Sequence, residues 1–187
     1  AEARSEAALL VGADPADLVF TPNATTGVNA VIGSIALSRD DEILTTDHRY
    51  DAVRNALERR ARRHGARVVE ATLPYPTVSA DAVVAAVDAA FTPRTRLLVV
   101  DAITSPTALV LPVRRLIAAA RARGVPVLVD GAHAPGHIPV DLSSLGADWW
   151  VGNLHKWICA PKGAALLWVA PGRAAAMEAP ITSHGWG

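Results

Sequence analysis

Residues 125–163 read VPVLVDGAHAPGHIPVDLSSLGADWWVGNLHKWICAPKG. An apolar run, Val125 to Val129, ends on Asp130, and a second apolar segment, Trp149 to Val151, leads to His155 and Lys156. In an open α/β sheet, functional side chains gather at the carboxyl ends of strands, so two neighbouring strands would bring Asp130 and Lys156 to one edge. A lysine that attacks a carbonyl needs a shielded site that favours its neutral form. An aspartate facing a pyridine nitrogen holds that nitrogen protonated and makes the ring an electron sink. The pair points to pyridoxal 5′-phosphate, bound as a Schiff base on Lys156. Each residue also has a plainer reading. A lone lysine is ordinarily a solvated charge, and Asp130 could cap a helix. Against this, Lys156 lies between WWVGN and Trp157-Ile158, and a buried carboxylate is costly unless paired.

Outward from this stretch, helical and strand patterns alternate with short turns, which predicts an α/β fold with a largely parallel sheet. Helices are expected over residues 1–12, from about Val28 to Ile35, Asp51–His64, from the Ser79 cap to Phe91, and from Pro112 to Arg123. Strands are expected at Asp17–Phe20, Glu42–Thr45, Arg67–Ala71, Arg96–Val100 and Gly163–Val169, besides the two already described. Asn23, Ala24, Thr25 and Thr26 fall in a strand-to-helix turn. The first N–H groups of a helix are unpaired and suit a phosphate, although Asn and Thr there also read as a simple N-cap.

The 187 residues suit one domain with a real core, and the 51% hydrophobic content argues against disorder. No apolar run approaches the roughly 20 residues of a membrane span. The formal net charge is zero, which favours neither nucleic acid nor an anionic membrane. The basic run Arg54 to Arg67 reads as the solvated face of a helix whose Val53, Ala56 and Leu57 turn inward. A single cysteine, Cys159, excludes an internal disulfide, fits a reducing cytoplasm and is expected to serve packing. His133 and His137 flank a proline and a glycine, so they cannot form a helical metal pair, and no zinc or other metal site is expected. No Walker loop, G-x-G-x-x-G or G-x-S-x-G is present.

The DGAHAPGH and GNLHKWICAPKG wording resembles the class V aminotransferase family, fold-type I pyridoxal-phosphate enzymes that include cysteine desulfurases and isopenicillin N epimerase-like proteins. The resemblance extends over nearly the whole chain and is strongest to the epimerase-like and C–S lyase-like branch. It implies a three-layer α/β/α large domain with a mostly parallel sheet, and it implies roles. Ala24 and Thr25 would contact the cofactor phosphate, with His155 and Asn153. His48 would stack on the pyridine ring, with Tyr50 as the alternative. Asp130 would meet the ring nitrogen, His133 the phenolic oxygen, and Lys156 the aldehyde carbon. Cysteine desulfurases place an asparagine near residues 101–107, where this chain offers Thr104 and Ser105. Many epimerase-like members carry a histidine where this chain has Ala102.

The chain has no initiator Met and opens as if in mid-helix, and family members carry a further N-terminal segment and a small C-terminal domain. Residues 1–187 are therefore expected to be a partial large domain. The family also implies an amino-acid substrate and a homodimer in which residues 181–187, Ser183 among them, reach the partner's site. Expected activities are epimerase-like or C–S lyase-like. Cysteine desulfurase, or a catalytically silent cofactor-binding remnant, stands as the alternative.

Overall fold

The computed structural model describes residues 2–76, 79–182 and 184. Within them seven strands form one sheet: β1 (Leu18–Thr21), β2 (Glu42–Thr46), β3 (Arg67–Ala71), β4 (Thr95–Asp101), β5 (Val127–Asp130), β6 (Trp149–Asn153) and β7 (Ala165–Val169). Their order is β1-β7-β6-β5-β4-β2-β3. β7 pairs antiparallel with both β1 and β6, while the other pairings are parallel. Strands β2, β5, β6 and β7 are buried along their whole length, as a sheet covered on both faces requires.

Among the described residues six α-helices accompany the sheet: α1 (Glu2–Val11), α2 (Ala24–Ser34), α3 (Asp51–His64), α4 (Ala80–Ala90), α5 (Val113–Arg121) and the short α6 (Leu142–Leu145). Side-chain alternation along the strands sorts the core into two layers. Leu97 and Val99 join Val28, Val31, Val53 and Leu57 of α2 and α3. Leu98 and Val100 join Val11, Val83, Val87, Leu116 and Ile117 of α1, α4 and α5. The result is the expected three-layer α/β/α arrangement with a mostly parallel sheet. On α3, Val53, Leu57 and Ala61 recur every four residues and are buried, which leaves most of the arginines to solvent.

Several element ends shift by a few residues from the sequence expectation, and two helix ends show why. α2 starts at Ala24 rather than after Gly27, because the Asn23 side chain caps it by accepting from the Thr26 amide at 2.8 Å. α5 stops at Arg121, because the Arg123 N–H turns back to the Ala120 carbonyl and tightens the last turn. Elsewhere a close approach fixes the sequence. A Cβ on Gly27 would lie 2.7 Å from Val151 Cγ1, so glycine is what lets α2 rest directly on β6. That contact brings the first turn of α2 to the carboxyl end of the sheet.

Candidate active site

β4, β5 and β6 run parallel and end side by side. Their carboxyl ends and the first turn of α2 enclose a cavity of about 520 Å³. Asp130 is the last residue of β5, and Lys156 stands in the loop three residues beyond β6. Both line this cavity, together with Ala24, Thr25, Ser105, His133, Asn153 and His155. Of the residues expected to meet the cofactor, His48 lies outside the lining, while its alternative Tyr50 is in it. The His48 ring is buried instead. Its Nδ1 pairs with Thr107 Oγ1 at 2.7 Å, and its ring centroid is 5.3 Å from that of Tyr75. Two residues of separation along the turn after β2 decide which aromatic side chain faces the site.

The α2 turn is prepared for an anion, but its donors are not equivalent. The Ala24 N–H donates to Asn153 Oδ1 at 2.9 Å, and the Thr26 N–H to Asn23 Oδ1. Among the described residues, the Thr25 amide and hydroxyl take no protein partner. Thr25 is thus the residue of this turn with donors to spare, whereas Ala24 and Asn153 satisfy one another. Their bond ties the turn to the end of β6 across 129 residues of sequence. His155 Nδ1 lies 3.1 Å from the Ala164 carbonyl, an acceptor only, so Nδ1 carries the proton and Nε2 is the ring's free position.

Lys156 Nζ and His133 Nε2 are 2.8 Å apart. Burial pulls the lysine pKa down, only partly opposed by the charges of Asp130 and Asp101. Burial, followed by the nearby Lys156 and His137, pulls His133 down as well, so neutral imidazole accepts from the amine. Asp130 is 5% exposed, and its Oδ1 accepts the Ala132 N–H at 2.9 Å. No helix follows Asp130, since residues 131–137 are turns, so the N-cap reading does not apply. Burial raises its pKa, against that hydrogen bond and Lys156.

The loop after β4 separates its two candidate hydroxyls. Ser105 faces the cavity, whereas Thr104 is buried, pairs with Thr107 and accepts the Leu109 N–H. Asp101, at the end of β4, also lines the cavity and was not singled out from sequence. The strand-end rule that finds Asp130 would have found it too. Cys159 departs from its expected packing role: it is exposed, in a left-handed turn at φ 60° that carries it away from the core. The reaching loop expected at 181–187 lies largely outside the described residues.

A half-buried lysine with a depressed pKa, a buried carboxylate on the same cavity and an open helix N-terminus make one constellation. The model of the family described as "Aminotransferase class-V" matches residues 1–185. The chain belongs to the class V aminotransferase family. Isopenicillin N epimerase of Streptomyces clavuligerus is 44% identical over 178 residues, covering 95% of this chain and 44% of that protein. A putative L-cysteine desulfhydrase of Oryza sativa subsp. japonica is 37% identical over 197 residues, covering 97% and 41%. The solved cystine C–S lyase C-DES superposes with a TM-score of 0.87 at 27% identity, covering 93% of this chain and 46% of that one. A variant of that lyase carries glycine covalently linked to its pyridoxal-phosphate cofactor. This class V aminotransferase chain therefore spans less than half the length of these relatives.

Pyridoxal 5′-phosphate is the cofactor indicated for this site. The lining offers groups that fit it: the Thr25 donors for a phosphate, the Asp130 carboxylate for the ring nitrogen and the Lys156 amine for the aldehyde. Among the described residues no helix is long and apolar enough to cross a membrane.

Proposed function

We propose that this chain is the cofactor-binding large domain of a pyridoxal-phosphate enzyme that acts at the α-carbon of an amino acid, as an epimerase-like or C–S lyase-like enzyme. The observation that carries the reading is the convergence of Lys156, Asp130 and the α2 turn on one cavity. In this reading Thr25, with His155 from the loop after β6, holds the phosphate. Asp130 holds a proton at the ring nitrogen, and Tyr50 covers the ring. When bound, the cofactor supplies an electron sink for a negative charge developing at the substrate α-carbon.

The remaining chemistry belongs to the chain. A neutral Lys156 Nζ is nucleophilic toward a carbonyl and, when free, basic enough to take the α-proton. His133, neutral and 2.8 Å away, accepts a hydrogen bond from that nitrogen and fixes where its lone pair points. Burial of Asp130 and Asn153 keeps water away from the charges. The names of the relatives at 37–44% identity support epimerisation and C–S bond cleavage as the branches to test. Both begin with loss of the α-proton. The exposed Val19 and Phe20 of the edge strand β1, with Leu9 and Leu10 of α1, favour an additional covering domain or a second copy. A homodimer is part of this proposal.

Borohydride treatment of the full-length protein loaded with pyridoxal phosphate, followed by peptide mapping, tests the assignment. A single modified peptide bearing Lys156 is expected. Modification at Lys162 instead would overturn it. Incubation with L-cysteine and with amino acids lacking a leaving group, read as sulfide release and as loss of optical rotation, separates the lyase from the epimerase branch.

A further inference from the structure

Asp101 closes β4 as Asp130 closes β5, and the two are in register across a parallel pair. Registered neighbours in a sheet point to the same face on strands about 4.7–4.9 Å apart, which leaves two carboxyl groups room to turn toward one another. Both side chains line the same cavity, with Asp101 3% and Asp130 5% exposed. Their hydrogen bonds are few. Asp130 Oδ1 takes the Ala132 N–H, and the Asp101 carboxyl takes the Ser105 N–H. Asp101 Oδ1 is buried and, among the described residues, has no partner.

The charged groups facing Asp101 are Asp130 on β5, Lys156 from the loop beyond β6, and Arg49 from the turn beyond β2. Arg49 is already committed to Glu70 and to the Thr46 carbonyl. Lys156 is held towards its neutral form by burial. Two adjacent carboxylates in a dry site with so little free positive charge cannot both ionise. Burial, and after it the charge of Asp130, accordingly pushes the Asp101 carboxyl well above the ordinary carboxylate range.

We propose that Asp101 and Asp130 share one proton, carried on Asp101 Oδ1, which makes Asp101 a positioning residue that donates a hydrogen bond to Asp130 and leaves Asp130 the single negative charge facing the cofactor ring. The proposal rests on the reading of Asp130 as the partner of the ring nitrogen. Removing the donor would let the Asp130 carboxylate rotate and would change its basicity, so the ring's proton would be held differently.

Carboxyl-labelled aspartate NMR on the full-length protein, with and without pyridoxal phosphate, reads the proton directly. One aspartate resonance should stay in its protonated position at neutral pH and be missing from Asp101→Asn. In Asp130→Asn the same resonance should titrate nearer the ordinary carboxylate range, because the like charge is gone. Asp101→Asn keeps a neutral donor and should retain turnover and the pH dependence of the bound-cofactor absorbance. Asp101→Ala should lose about tenfold or more in turnover, the loss of one hydrogen bond to a charged acceptor, and should shift that pH dependence. An Asp101 resonance that ionises in the ordinary range overturns the proposal. So does an Asn variant that folds yet fails as badly as Ala. Failure of the wild-type protein to bind pyridoxal phosphate would instead count against the function proposed above, and the cofactor-free spectra would still decide where the proton sits.

Discussion

Asn153 is the residue through which the two halves of the site depend on one another, and replacing it separates structure from cofactor binding. Its Oδ1 accepts the Ala24 N–H at 2.9 Å, and the residue is 6% exposed. Asn153→Ala leaves a buried backbone donor without a partner, which costs about 1–3 kcal/mol. For a chain of 187 residues each kcal/mol moves the melting temperature by about 2–4 °C. A drop of roughly 2–12 °C in the cofactor-free protein is therefore expected. Asn153→Asp keeps the acceptor, so its cofactor-free melting temperature should fall much less. The new carboxylate, however, stands in the wall that receives a phosphate. Two unit charges about 5–6 Å apart at an effective dielectric constant near 20 repel by about 3 kcal/mol. Cofactor affinity in Asn153→Asp should thus fall by about a hundredfold, since 1.4 kcal/mol is tenfold. Thermal melts without cofactor, and titration with pyridoxal phosphate followed by absorbance, measure the two effects. Equal melting of Asn153→Ala and wild type, or unchanged cofactor affinity in Asn153→Asp, would refute this account of the turn.

Trp150 provides a packing test, since its ring lies across Gly131 and Gly152 and a Cβ on Gly152 would come within 2.0 Å of Trp150 Cη2. Gly152→Ala should cost about 1–3 kcal/mol by overpacking, visible as a lower melting temperature and a changed near-ultraviolet dichroism of the indole. Glu42 is fully buried, and although burial alone would raise its pKa, hydrogen bonds from the Thr92 hydroxyl and from Arg67 and Arg94 hold it below the ordinary value of 4.5. A depressed native pKa stabilises the fold above the unfolded value and is lost as pH falls through the native one. Chemical unfolding should therefore show wild type losing, as pH falls from about 4.5 downward, an advantage that Glu42→Gln never has. Asp130→Ala should still take up pyridoxal phosphate covalently at Lys156, while its turnover collapses for want of a protonated ring. Near-normal steady-state rates in that variant would remove Asp130 from the chemistry.

Local chemistry made much of this protein legible without coordinates. The extent of α3, the Ser79 cap and the apolar runs of β4 and β5 follow from side-chain periodicity and cap residues, which act over one or two turns. The strand-end rule located Asp130 and Lys156 because a parallel sheet places such residues on one edge whatever the loops do. The choice between His48 and Tyr50 was not legible. Both follow β2 within four residues, and only the packing of the turn against Thr107 and Tyr75 buries one ring and leaves the other in the cavity. Likewise, nothing local marks Asn153 as the partner of Ala24, because the bond depends on α2 lying against β6 through Gly27. The sequence by itself determined the α/β pattern, the cofactor class and the lysine and aspartate proposed to serve it. Only the tertiary structure decided which donors of the α2 turn remain free, and that Asp101 stands beside Asp130. Strand order, register and burial set those contacts, and they exist only between residues far apart in the chain.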